Sequence, residues 1–102
     1  MKWPLDPKDV QYKRITESVL VHDGPCLLVS ASITQESTQK YMRVHNGNSA
    51  SGDPFIDLQG GSKATVFFEP NPPQYLSQGI YAYVEGSIKS ATIRFVPLQQ
   101  GE

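Results

Sequence analysis

Few residues of this 102-residue chain are of types that do chemistry, and their spacing gathers none of them into a recognisable centre. His22 and His45 each lie at a strand end beside a turn former. With Asp23 and Asp53 they could supply the three or four ligands that zinc takes, but nothing in their spacing requires them to converge. They read as surface or edge histidines. Asp53 and Asp57 bracket Phe55–Ile56, yet the alternating oxygen ligands of an EF-hand are missing. Cys26 is the one cysteine, so an intrachain disulfide and a cysteine metal cluster are excluded. It sits in the apolar run Pro25–Val29 and reads as a small buried residue. A reactive thiol would need exposure and a nearby base. The serines lack a Gly-x-Ser-x-Gly elbow. Neither a dinucleotide fingerprint nor a phosphate loop is present. Among 10 acidic residues some carboxylate pair always lies close, so a glycosidase pair carries no signal. A small β-domain also has little room for a deep pocket. The expectation is a chain that is not an enzyme and takes no cofactor and no metal.

Composition points the same way. Net charge is −1, from 9 Lys+Arg against 10 Asp+Glu, and only Lys13–Arg14 are adjacent cations. Nucleic-acid binding draws on a clustered basic surface, so no nucleic-acid partner is expected. The N-terminus Met1–Lys8 lacks the apolar core of a signal peptide. No apolar run approaches the ~20 residues that span a bilayer. The chain is expected to be soluble, made in a cytoplasm, with no membrane partner. Its length is that of one domain, and 38% hydrophobic residues suit strands that are each half exposed.

The elements that must position any site read as short strands. In Gly79–Val96, Ile80, Ala82 and Val84 share one face and Tyr81 and Tyr83 the other. After a turn at Glu85–Gly86–Ser87, Ala91, Ile93 and Phe95 alternate with Thr92, Arg94 and Val96, and the pair reads as a hairpin. Upstream, Tyr12–His22 is a first strand with poor alternation before Val19, closed by the turn Asp23–Gly24–Pro25. Cys26–Gln35 follows, with Leu27, Val29, Ala31 and Ile33 inward and Leu28, Ser30, Ser32 and Thr34 outward. Thr38–His45, carrying Tyr41, Met42 and Val44, is close enough in sequence to form a hairpin with it. Asn46–Pro54 is a loop, Phe55–Leu58 a short strand, and Gly60–Gly61 a turn. In Ser62–Glu69, Ala64, Val66 and Phe68 alternate with Thr65 and an outward Phe67. Pro70–Gln78 is a stiff crossover containing Pro72 and Pro73. The pattern predicts an all-β chain, a single β-sandwich or jelly-roll-like domain of about seven to eight short antiparallel strands. Residues 1–10 read as an extended arm, 11–97 as the sandwich and 98–102 as a peripheral tail.

Association is the remaining role. Trp3, Tyr12, Tyr41, Phe67, Tyr75, Tyr81 and Tyr83 exceed what one small core hides. Any single tyrosine reads equally well as a half-exposed cross-strand partner; the set favours an interface. Trp3 and Leu5 either cap their own sandwich or anchor the arm on a neighbouring subunit. Candidate interface residues are Trp3, Leu5, Tyr12, Phe67, Pro72, Pro73, Tyr75, Tyr81 and Tyr83. A competing class is a carbohydrate- or host-surface-binding module, with Tyr75, Tyr81 and Tyr83 as one stacking platform.

The runs Gly24–Ile33 (GPCLLVSASI), Met42–Gly52 (MRVHNGNSASG), the Gly60–Gly61 turn, Gln78–Gly86 (QGIYAYVEG) and Ala91–Phe95 (ATIRF) carry a family likeness. Together they resemble the small β-sandwich virion proteins of tailed bacteriophages. The likeness spans Val19 to Val96 and rests on strand pattern and loop residues; the Trp3 arm and the proline crossover have no counterpart in it. It implies a structural virion component present in many copies. The role it favours is a capsid decoration (cement) protein, often trimeric, that binds the major capsid protein or other virion proteins. A neck or tail ring component is the alternative. Either way the chain would be made in the host cytoplasm and end in the virion.

Overall fold

The computed structural model describes residues 7–34, 41–59, 65–85 and 90–98. Trp3, Leu5, the Gly60–Gly61 turn, Gly86–Ser87 and the tail beyond Leu98 lie outside the described residues. A single 3-10 turn at Pro7–Asp9 leads into the first strand. Nine strands follow among the described residues: β1 (Gln11–Ile15), β2 (Val19–Asp23), β3 (Cys26–Thr34), β4 (Tyr41–Asn46), β5 (Asp53–Gln59), β6 (Thr65–Phe68), β7 (Gln74–Leu76), β8 (Gly79–Glu85) and β9 (Ser90–Pro97). They form two antiparallel sheets packed face to face. The first sheet has the order β1-β9-β3-β6 with β7 also on β3, and the second has β2-β8-β4-β5.

β6 and β7 are one edge strand in two pieces. Phe68 lies opposite Ala31 and Gln74 opposite Leu28, so both run along β3 in the same direction. The interruption, Glu69–Pro73, holds three prolines, which cannot donate to a ladder. With β6 and β7 taken together, β4 pairs with β5, β3 with β6/β7, β2 with β8 and β1 with β9. The chain is thus one long antiparallel ribbon, turning at the β4–β5 loop and wound around a common core. That winding is a jelly roll.

The winding corrects both expected hairpins. β8 lies in the second sheet and β9 in the first, and β3 and β4 are split the same way. Tyr12–His22 is likewise two strands, because the chain changes sheet at Thr16–Ser18. Ser18 stands just before β2: its Oγ accepts a hydrogen bond from Val84 N at 2.8 Å, satisfying β8 beyond its pairing with β2.

The core follows the period-two faces. Ile80, Ala82 and Val84 are buried in the second sheet, and Ala91, Ile93 and Phe95 in the first. Met42, Val44 and Leu58 join from β4 and β5. β3 departs from its expected phase. A register shift at Val29 makes Cys26 and Leu28 buried instead of Leu27 and Val29, while Ala31 and Ile33 keep their inward places. Aromatic contacts close the space between the sheets: Phe55 packs edge-on to Phe68 at 5.9 Å, and His22 lies 5.4 Å from Phe95.

Gly79, at φ 137°, holds the ribbon where it turns into β8. A Cβ there would sit 2.4 Å from the His22 carbonyl oxygen, so no side chain fits. No helix among the described residues is long and apolar enough to cross a membrane.

Candidate functional site

The residues first considered for chemistry are placed apart or put to structural use. His45 is 4% exposed, which corrects its reading as a surface residue. Its Nδ1–H donates to the Gly52 carbonyl at 2.9 Å and ties β4 to the loop that follows it. Asn46, the last residue of β4, accepts a hydrogen bond from Gln78 N at 2.9 Å and ties that strand end to the turn between β7 and β8. Among the described residues no three His, Cys, Asp or Glu side chains gather as a metal site. Cys26 is fully buried, and burial pushes its thiol up to about 11.

What the fold does assemble is two outer faces with different aromatic character. On the first sheet, Tyr12 lies opposite Arg94, Arg14 opposite Thr92, Phe67 opposite Ser32, and Tyr75 opposite Leu27. The neighbouring positions of β3 and β9 face the core, so these residues share the outward face. Tyr12, Phe67 and Tyr75 are 72%, 64% and 52% exposed. They sit on the two edges of the sheet, with β9 and β3 between them, about 14 Å apart by strand spacing. Pro72 is exposed and Pro73 half-buried in the interruption between Phe67 and Tyr75.

On the second sheet the aromatic residues lie on the central strands β4 and β8. Leu20, Tyr81 and His45 form one cross-strand row, and Tyr83, Arg43 and Asp57 the next. Glu85 and Tyr41 follow. The Tyr81 ring meets His45 edge-on at 6.3 Å, and Tyr41 and Tyr83 are tilted by 51° with centroids 6.2 Å apart. Arg43 holds its guanidinium 5.4 Å from the Tyr41 ring centre while its Nε donates to Asp57 Oδ1 at 2.7 Å. The Tyr83 hydroxyl donates to Glu85 Oε2 at 2.8 Å. That hydrogen bond, with the carboxylate charge behind it, raises the Tyr83 pKa above the ordinary tyrosine value. Asp57 does the same for Arg43. A shallow open depression lies between Tyr41, Arg43, His45, Ala50 and Tyr83.

Of the residues expected at an interface, the structure brings Tyr12, Phe67 and Tyr75 onto one face. Tyr81 and Tyr83 lie on the opposite face, so Tyr75 cannot join them in a single stacking platform. Trp3 and Leu5 lie outside the described residues. Sequence reasoning missed Tyr41, Arg43, Asp57 and Glu85 as a set. Their alternation along β4, β5 and β8 was a usable signal once those strands are adjacent, but adjacency was hidden by the winding. The chain matches no protein-family model, no curated protein and no solved structure.

Proposed function

We propose that the chain is a structural virion protein of a tailed phage, a capsid decoration (cement) protein that docks on the shell through the outer face of its first sheet. The observation that carries this reading is the exposure of Tyr12, Phe67 and Tyr75 on one face, with Arg94 exposed between the two edges and Arg14 exposed beside Tyr12 on β1. Aromatic area of that kind beside cations fits a protein surface with apolar pockets and acidic neighbours, such as that of a major capsid protein or another virion protein. The mechanism is mechanical. A rigid sandwich spans neighbouring shell subunits and adds buried area across their seam.

Magnitude decides how such a protein would bind. A covered Tyr or Phe buries roughly 150–250 Å², and with half to three-quarters of each exposed the three offer on the order of 300 Å². At ~25 cal/mol per Å² that is about 7.5 kcal/mol, comparable with the association cost that must be subtracted. One copy alone would hold weakly. A homo-oligomer, a trimer by preference, gains by effective concentration what a single face lacks. Quantitative mass spectrometry of purified virions tests the reading. Shell-scale copy number supports it, a ring's worth of copies moves the protein to the neck or tail, and absence from particles ends it.

A further inference from the structure

The depression on the second sheet has a chemistry of its own, independent of what the first sheet docks on. Its walls are the half-buried rings of Tyr41 and Tyr83. Arg43 lines it too; Asp57, bonded to Arg43 at 2.7 Å, and Glu85, bonded to the Tyr83 hydroxyl at 2.8 Å, stand next to the lining residues. Its floor is the buried His45, tied to Gly52. Ala50, on the loop, closes one side with no side chain large enough to fill the space. A small ligand would meet ring faces and paired polar groups that are already ordered, so little side-chain entropy is lost on binding.

Charge and contact select the ligand class. Asp57 neutralises Arg43 and Glu85 adds a further negative charge beside Tyr83, a net of −1 around the depression, which disfavours phosphate, sulfate or an acidic sugar. A quaternary ammonium would seek the tyrosine faces, but Arg43 lines the depression with its guanidinium 5.4 Å from the Tyr41 ring centre, and a second cation there is repelled. An apolar ligand would strip water from the exposed Arg43–Asp57 pair without replacing its hydrogen bonds. A neutral ligand with one C–H-rich face and hydroxyls at its edge satisfies all of these groups: rings take the apolar face, and guanidinium and carboxylates take hydroxyls. We propose that this depression binds a neutral oligosaccharide, laid against the Tyr83 ring beside the Tyr41–Tyr83 contact and hydrogen-bonded at its edge by Arg43, Asp57 and Glu85. The open shape suits a short stretch of a longer glycan, with a Kd on the order of 1 mM for a short oligosaccharide.

The test is a set of amide chemical-shift titrations of the full chain with maltohexaose, chitotetraose and mannohexaose, and with a heparin hexasaccharide and tetramethylammonium as contrasts. The expected result is saturable shifts at Tyr41, Arg43, His45, Ala50 and Tyr83 with at least one neutral sugar. Tyr83→Ala should weaken that binding about tenfold, the scale of one lost aromatic contact. Tyr83→Leu keeps apolar bulk without a ring and guards against a folding defect; with a native amide spectrum it too should lose affinity. No shift with any neutral sugar overturns the proposal. So does binding of heparin or tetramethylammonium alone, shifts confined to the Tyr12–Phe67–Tyr75 face, or full affinity in both Tyr83 variants.

Discussion

The two outer faces of the sandwich use the same kinds of residue and treat them in opposite ways. On the first sheet, Tyr12 lies on the edge strand β1 and Phe67 and Tyr75 on the opposite edge, β6/β7. An edge residue has a strand neighbour on one side only, and these three stay more than half exposed. On the second sheet, Tyr41, Tyr81 and Tyr83 lie on β4 and β8, each flanked on both sides. There a ring finds partners both across the strands, as His45 meets Tyr81 and Tyr41 meets Tyr83, and along its own strand, where Arg43 lies two residues from Tyr41 and Glu85 two residues from Tyr83. Aromatic area left uncovered at two edges calls for a broad partner that covers both at once. Aromatic area held in place at the centre is preorganised for something small. Position in the sheet, rather than composition, separates the proposed docking face from the proposed binding depression.

Both faces depend on one frame, and the largest effect comes from breaking it. Gly79→Ala forces a side chain into φ 137° and against the His22 carbonyl. We expect a loss of about 3 kcal/mol or more of stability, read by denaturant unfolding, with both faces lost together. Cys26 reports the same event. Its thiol is held at about 11, so at pH 8 only about one molecule in a thousand is thiolate, and Ellman's reagent should react only as the sandwich opens. Wild-type stability and wild-type thiol protection in Gly79→Ala would contradict the frame described here.

The next largest effect separates the faces. Replacing Tyr12, Phe67 and Tyr75 together by Ser should cut binding to undecorated shells by about 100-fold or more, the scale of a lost aromatic anchor cluster. Stability should shift by less than about 1 kcal/mol, since all three side chains are exposed. Tyr41→Ala with Tyr83→Ala should leave shell binding unchanged. If that pair loses the shells while the triple Ser variant keeps them, the assignment of the two faces is reversed.

The inward residues were legible in the sequence, and their partners were not. Ile80/Ala82/Val84 and Ala91/Ile93/Phe95 alternate with period two, and all six are buried. Alternation tells which side of a strand meets the core. It is silent on which sheet the strand joins, so β8 and β9 looked like a hairpin although each pairs elsewhere. The same silence joined β1 to β2, and the poor alternation before Val19 was the trace of the change of sheet. At Val29 one extra residue reverses the phase of β3, and no residue type there announces it. For the sites, Tyr75 and Tyr81 are close in sequence but on opposite faces, because β7 and β8 belong to different sheets. Tyr41, Arg43, Asp57 and Glu85 come from three strands whose adjacency only the ribbon winding creates.

A smaller effect concerns the ion pair at the depression. Arg43 and Asp57 are 36% and 56% exposed, so Asp57→Asn should change stability by less than about 0.5 kcal/mol in a salt-dependent way. A change several times larger would mean that the second face depends on this ion pair for folding and not for ligand binding alone.

The smallest effect tests whether the second face is ordered as described. The Tyr83 hydroxyl donates to Glu85, whose charge opposes formation of a second anion beside it, so the Tyr83 pKa lies above its ordinary value. The neutral phenol is the form favoured by folding. The contribution is therefore complete below the unfolded-state pKa near 10 and is lost as pH rises through the folded value. On an exposed face it adds little to stability but remains visible to a site-specific probe. Carbon-13 NMR titration of the Tyr83 Cζ signal should show its midpoint falling in Glu85→Gln, because the carboxylate charge has gone. A Tyr83 that titrates identically in both proteins would mean that Glu85 does not hold the ring. The tyrosines of the second sheet would then be no better prepared for a ligand than those of the first.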